Sequence, residues 1–222
     1  MKKVLVVDIG GTHVKVLATG RRAVTKVPSG PHLTPRKMVK EVLDATKGWK
    51  YDVVSIGYPG PVVRGKVARE PVNLGKGWGR FDFERAFERP VRLINDAAMQ
   101  ALGSYAGRRM LFLGLGTGLG TTLVHEGIVI PLELAHLPYK NGKTFEEYVG
   151  NAGLKRLGLR KWKDHVFDVV RLLSDATIAD YVVIGGGNAR LLPELPPRSR
   201  RGSNANAFRG GFRLWQETAS YT

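Results

Sequence analysis

The chain alternates short apolar runs with amphipathic stretches, and the alternation restarts half-way along. Val4-Leu5-Val6-Val7 marks a strand over Lys3–Asp8, followed by strands His13–Ala18 and Arg22–Val27. Thr34-Pro35 opens a helix, with Thr34 as N-cap, Pro35 at the tolerated first position, and Met38, Val42, Leu43 and Ala45 on its apolar face. Tyr51–Ile56 reads as a buried strand running into Gly57-Tyr58-Pro59-Gly60, and Pro61 to Arg80 as a long Gly/Arg-rich loop. A short helix Phe81–Phe87, a strand Val91–Ile94 ended by Asn95-Asp96, and a helix Ala97–Tyr105 complete the first half. The second half gives strands Arg109–Leu113, Thr121–Val124 and Ile128–Pro131, then helices Thr144–Leu157 and Leu159–Asp175. Strand Tyr181–Ile184 runs into Gly185-Gly186-Gly187, and a Pro/Arg-rich loop (Pro193 to Arg201) leads to a final helix, Ala205–Glu217. A strand–strand–strand–helix unit used twice predicts an α/β chain built by internal duplication.

Two glycine-rich turns occupy matching places in the two units. One is Asp8-Ile9-Gly10-Gly11-Thr12; the other is Gly114-Leu115-Gly116-Thr117-Gly118-Leu119-Gly120. Glycine permits positive φ and carries no Cβ, so the bare N–H groups of such turns can approach a phosphate. Two of them suggest two half-domains, 1–96 and 97–222, clamping a phosphate chain between them.

Composition narrows the chemistry. At 222 residues the chain can bury a sizeable core, and it has no cysteine, which excludes disulfides, thiolate zinc sites and cysteine nucleophiles. The Met1-Lys2-Lys3 start is not expected to be a signal peptide, because Asp8 interrupts the apolar run and Gly10-Gly11 closes it. No uncharged run approaches membrane-spanning length, so the expectation is a cytoplasmic chain without a membrane partner. The charge of +16, from 35 Lys and Arg against 19 Asp and Glu, attracts polyanions; the plain alternative is a solvated basic surface. The basic residues are dispersed (Arg36-Lys37-Lys40, Lys155-Arg156, Arg160-Lys161-Lys163, Arg198-Arg200-Arg201) and lack aromatic interleaving, which disfavours a nucleic-acid module.

Phosphoryl transfer to a hydroxyl needs a residue to take the proton. Asp96, at a strand end where the chain turns into a helix, is the candidate base, and Asn95 beside it suits a hydroxyl. The same position equally suits an Asx-type N-cap, and spacing leaves both readings open. Glu133 and His136 stand at i, i+3 in an otherwise apolar segment and would share one face of a helical turn. A histidine in such company is otherwise a satisfied core residue, and a zinc site would need a third ligand at convincing spacing, which is absent.

Taken in order, Asp8-Ile9-Gly10-Gly11-Thr12 with Lys15, Tyr58-Pro59-Gly60, Val72-Asn73-Leu74 with Trp78, Ile94-Asn95-Asp96-Ala97, Gly116-Thr117-Gly118-Leu119-Gly120, Glu133-Leu134-Ala135-His136 and Ile184-Gly185-Gly186-Gly187 resemble the ROK family of sugar kinases. The subgroup most similar is that of the polyphosphate/ATP-dependent glucokinases. The resemblance implies a ribonuclease-H-like (actin/hexokinase-type) pair of βββαβα domains with an interdomain cleft. It makes Asp96 the base on the 6-hydroxyl of glucose or a related hexose, with Gly60, Asn73, Asn95, Glu133, His136 and Glu146 binding sugar. Gly10, Gly11, Thr12, Lys15, Gly116, Thr117, Gly118, Gly185 and Gly186 would face the phosphates of polyphosphate or ATP. Asp8 would hold Mg²⁺ through water, no zinc is implied, and a homodimer is an expectation of the same kind. The chain departs from the pattern at Ala135, Gly150 and Asn188. Polyphosphate would run along basic residues, with Arg198, Arg200, Arg201 and the Lys155–Lys163 cluster as candidates by charge. The alternatives are an ATP-dependent kinase of another hexose, or a non-catalytic sugar- or polyanion-binding protein.

Overall fold

The structure is a computed structural model that describes residues 2–216 and 220–221. Its first sheet uses β1 (Val4–Ile9), β2 (His13–Ala18) and β3 (Thr25–Pro28) as an antiparallel meander. After helix α1 (Pro35–Ala45), strand β4 (Val53–Tyr58) joins β1 in parallel. A small hairpin, β5 (Val62–Val63) and β6 (Lys66–Val67), and helix α2 (Phe83–Phe87) precede β7 (Val91–Asn95), which pairs in parallel with β4. Helix α3 (Asp96–Ser104) ends this half, and the sheet order is β3-β2-β1-β4-β7.

The second half repeats the plan with β8 (Met110–Leu115), β9 (Leu119–His125) and β10 (Ile128–Leu132). A 3-10 turn at Leu134–His136, a hairpin of β11 (Pro138–Lys140) and β12 (Lys143–Thr144), helix α4 (Phe145–Val149) and helix α5 (Asn151–Ala176) follow. Strands β13 (Tyr181–Gly185) and β14 (Ser199–Arg201), helix α6 (Asn206–Arg213) and strand β15 (Ser220–Tyr221) close the chain. The second sheet runs β14-β13-β8-β9-β10-β15. With the added β15 set aside, both sheets place their five strands in the same sequential order, third-second-first-fourth-fifth. The duplication expected from the apolar pattern is therefore a duplication of topology.

Burial makes three layers of core. One cluster lies on the outer face of the first sheet with Met38, Val42, Trp78 and Phe83. Another lies on the outer face of the second with Tyr148, Trp162, Val166 and Val170. The third fills the space between the sheets and joins Val6 and Ile94 to Phe112, Val183, Phe208 and Leu214. Helices α3 and α6 cross in that central layer at glycine contacts: a Cβ on Gly103 or on Gly210 would run into the facing helix backbone. Buried Ser55 donates to Gly211 O at 2.6 Å and accepts from Trp215 Nε1 at 3.0 Å, fastening α6 onto β4.

Several local expectations shift. The loop expected over 61–80 contains the β5–β6 hairpin, and the expected 193–201 loop contains β14, with strands of two or three residues, too short to carry a periodic signal. Position 158 is a break, as expected from the split at Leu157 and Leu159, with Gly158 at φ 75°. A second break, at Gly150, separates α4 from α5. The final helix stops at Arg213, and the expected end at Glu217 lies outside the described residues.

Candidate active site

Asp8 and Asp96 come from the carboxyl ends of parallel strands in the first sheet, the edge where α/β sheets collect ligands. Registers Asp8↔Gly57 and Gly57↔Ile94 line up β1, β4 and β7, so the first residue of α3 stands next to the end of β1. Gly57 is the spacer: a Cβ there would collide with Met99 and sit 3.6 Å from Asp96 Cα. The N-cap alternative is settled by Asn95, whose side chain accepts from Ala98 N at 3.1 Å and donates to Gly60 O at 3.0 Å. Asp96 is left in the first helical turn, its Oδ1 accepting from Ala97 N at 2.7 Å.

Burial raises both carboxyls. Burial raises Asp8 above the ordinary carboxylate range, and Lys15, its cross-strand partner at 3.3 Å, opposes that rise. Burial first, and the Asp8 charge second, push Asp96 up to about 7, against the pull of the Ala97 N–H and Lys15. A carboxyl pushed this far up by burial and a neighbouring charge is a feature of proton-transferring sites.

The first glycine turn closes through Gly10 N donating to His13 O at 3.0 Å, and Asn73 Cβ lies about 4 Å from where a Gly11 Cβ would be. The second turn meets the start of α3: a Cβ on Gly120 would lie 2.8 Å from Ala97 Cβ. None of Gly10, Gly11, Gly116 or Gly118 has positive φ, so left-handed backbone is not why glycine stands there. Lack of a Cβ is the reason where Glu146 fills the space beneath Gly118, its Oε2 accepting from Leu119 N at 3.2 Å. Gly186, at φ 80°, does need glycine, and a Cβ there would collide with Leu115.

Glu133 immediately precedes one 3-10 turn and His136 ends it, with the two side chains 3.4 Å apart and both exposed rather than in a core. Buried Thr121 fixes this segment by donating to Leu132 O at 2.6 Å and accepting from Leu134 N at 3.2 Å. Thr121 follows Gly120, so the Glu133–His136 turn is tied to the strand that touches the start of α3. The α4 helix carrying Glu146 packs on the same turn.

Sequence reasoning missed what supports the second glycine turn. Asn151 N donates to Gly116 O at 3.0 Å, and Asn188 Nδ2 bridges Asn151 Oδ1 at 2.7 Å and Gly116 O at 3.4 Å. The signal available was the unusual Asn188 after the triple glycine. Gly150 is explained too, since a Cβ there would lie 2.8 Å from Thr117 O. Of the basic residues chosen by charge, Arg200 donates to Ser104 O at 2.6 Å, Arg201 to Ala189 O at 2.8 Å, and Arg198 pairs with Asp175 at 3.5 Å. Lys155, Arg160 and Lys161 are exposed on α5, whose first residue holds the second turn.

Among the described residues, no three His, Cys, Asp or Glu side chains gather as a metal cage, and no helix is long and apolar enough to cross a membrane. The chain is 28% identical to polyphosphate glucokinase of Mycobacterium tuberculosis over 216 aligned residues, covering 86% of this chain and 80% of that protein. It is 25% identical to a glucokinase of Pyrobaculum calidifontis over 178 residues, 69% of this chain and 59% of that one. The fold superposes on inorganic polyphosphate/ATP-glucomannokinase from Arthrobacter sp. strain KM with a TM-score of 0.78, at 22% identity, over 95% of this chain and 97% of that one. Residues 4–131, which hold the first glycine turn, Asn95-Asp96, the second glycine turn and the strand after it, match the ROK family, and the chain belongs to that family.

Proposed function

We propose that this protein is a glucokinase that transfers the terminal phosphoryl group of polyphosphate, ATP or both to the 6-hydroxyl of glucose. The relatives named polyphosphate glucokinase and glucokinase support sugar phosphorylation. The observation that carries the chemistry is Asp96: a carboxyl pushed up to about 7, beside Asp8 and one residue before the Ala97–Gly120 contact. A base titrating near working pH has enough ionised form and enough proton affinity to take the hydroxyl proton as the phosphoryl group arrives.

In this reading Glu133, His136, Asn95, Asn73 and Gly60 grip hexose hydroxyls, and Glu146 adds a second carboxylate while bracing the Gly116–Gly118 turn. The halves 1–96 and 97–222 each supply one phosphate turn, Gly10-Gly11-Thr12 from the first and Gly116-Thr117-Gly118 from the second, with Gly185 and Gly186 behind. Lys15 opposes the upward shift of Asp8 and favours its ionised form. A divalent cation suits the donor set, because the Asp8 charge is what raises Asp96 beyond burial alone, and Mg²⁺ is bound by one or two carboxylates plus substrate phosphates rather than by a protein cage. Mg²⁺ at Asp8 would neutralise charge on the transferring phosphoryl group.

The +16 charge favours polyphosphate among the donors, since a long anion extends past the turns onto basic surface. With Arg200 and Arg201 committed to backbone carbonyls, Lys155, Arg160 and Lys161 are the groups expected to meet it. Purified protein assayed with glucose and each donor at low salt, following glucose 6-phosphate, tests the reading. Turnover of another hexose but not glucose removes the glucose assignment, and ATP-only turnover removes the polyphosphate part.

A further inference from the structure

Away from the carboxylates and the glycine turns lies a cluster of titratable and aromatic side chains that the reaction does not use. The β11–β12 hairpin leaves the turn bearing Glu133 and His136 and delivers the chain to α4, which bears Glu146. Short hairpins are poorly held by their own hydrogen bonds, and this one is fastened from outside. Tyr139 Oη donates to Asp168 Oδ2 at 2.7 Å and lies 3.0 Å from His165 Nδ1, both on α5. Because the hydroxyl's one proton goes to Asp168, His165 must supply a proton from Nδ1, so the hydroxyl is saturated on both sides.

Lys140 Nζ adds a second link to Asp168 Oδ2 at 2.9 Å, while Arg171 holds Oδ1 at 2.9 Å. Asn141 donates to Tyr148 Oη at 3.3 Å, and the Tyr148 ring stands edge-on to Tyr139 and His165, with centroids 5.0 and 4.6 Å away. Hydrogen bonds around Asp168 hold it well below the ordinary carboxylate range, so it stays ionised across the neutral region.

We propose that Asp168 is a positioning residue for sugar binding: through Tyr139 and Lys140 it sets the hairpin, and with it the Glu133–His136 turn upstream and Glu146 downstream. The inference rests on the reading of those three residues as the sugar grip. Asp168 itself acts only through the hairpin, so its loss should loosen sugar binding while leaving Asp96 untouched.

The test is steady-state kinetics of Asp168→Asn and Tyr139→Phe, with His136→Ala as the control for the grip itself. Removing one side of a hydrogen bond to a charged group predicts a rise of about tenfold in KM for glucose. The value of kcat should stay within about twofold, and KM for the donor should not move. If both variants leave the glucose KM unchanged while His136→Ala raises it, the inference is overturned and the grip stands. An unchanged glucose KM in His136→Ala overturns the grip, and the inference with it. Equal losses in kcat and both KM values would mark the cluster as general scaffolding and also overturn it; Tyr139→Phe, which removes one oxygen, keeps the test open if Asp168→Asn fails to fold.

Discussion

Replacing Asp96 with asparagine should make the protein inactive and more stable at once. The side chain keeps its shape, and its Oδ1 can still accept from Ala97 N. What changes is the proton chemistry. In the folded chain Asp96 is pushed from 3.8 up to about 7, so folding disfavours its ionised form. That rise corresponds to roughly 4 kcal/mol, at about 1.4 kcal/mol for each tenfold change in the ionisation constant. It is a ceiling, because the amide must also be taken out of water, and about 2 kcal/mol is the expected gain.

The sign follows from proton counts. Below pH 4 both states of the native chain carry the proton and the charge costs nothing. Between pH 4 and 7 only the unfolded state loses it, so stability falls as pH rises; above 7 the loss is complete. The advantage of Asp96→Asn should therefore grow from pH 4.5 and level off above 7. For a chain of this size about 2 kcal/mol corresponds to roughly 4–8 °C in Tm. Activity moves the other way: loss of a general base costs about 10²- to 10⁴-fold in kcat with glucose binding retained. The acid limb of kcat/KM near pH 7 should vanish in the variant. Calorimetry across pH and glucose 6-phosphate assays provide the readings. Unchanged turnover, or a Tm difference independent of pH, would refute the assignment of Asp96 as a buried base.

Three further outcomes follow from named contacts. Lys15→Met removes the cation that pulls both carboxyls down, so the acid limb should shift to higher pH, seen in a pH–rate profile. Gly118→Ala should raise the donor KM because the new methyl collides with Glu146, and Glu146→Ala should relieve it, giving non-additive effects in a double-mutant cycle. Ser55→Ala should cost about 1–3 kcal/mol, read as a lower Tm, because Gly211 O and Trp215 Nε1 lose a buried partner.

How much of the fold was legible depends on element length. The strands at 4–9, 53–58, 110–115 and 181–185 are buried along nearly their whole length, and continuous apolar runs betray them. The strand at 199–201 is three polar residues paired in parallel with Val182–Ile184, and nothing local marks it. The hairpins at 62–67 and 138–144 are similarly short, and the second carries the Tyr139–Asp168 link that no spacing rule reaches. Arg200 and Arg201 looked like free surface charge because sequence lists cations without showing the carbonyls they meet.

The sequence by itself determined the repeated strand–strand–strand–helix plan, the two glycine turns and the order of Asn95-Asp96, Glu133 and His136. These are local properties: apolar period, backbone freedom and residue type along a short stretch. Tertiary structure decided that Asn95 is the cap and Asp96 is not, that Asp8 faces Asp96 closely enough to raise it, and that Gly120 abuts Ala97. The cap choice turns on which of two adjacent side chains reaches Ala98 N, the other two join residues from different strands or different halves, and a charge's effect depends on distance and burial, which chain order does not record.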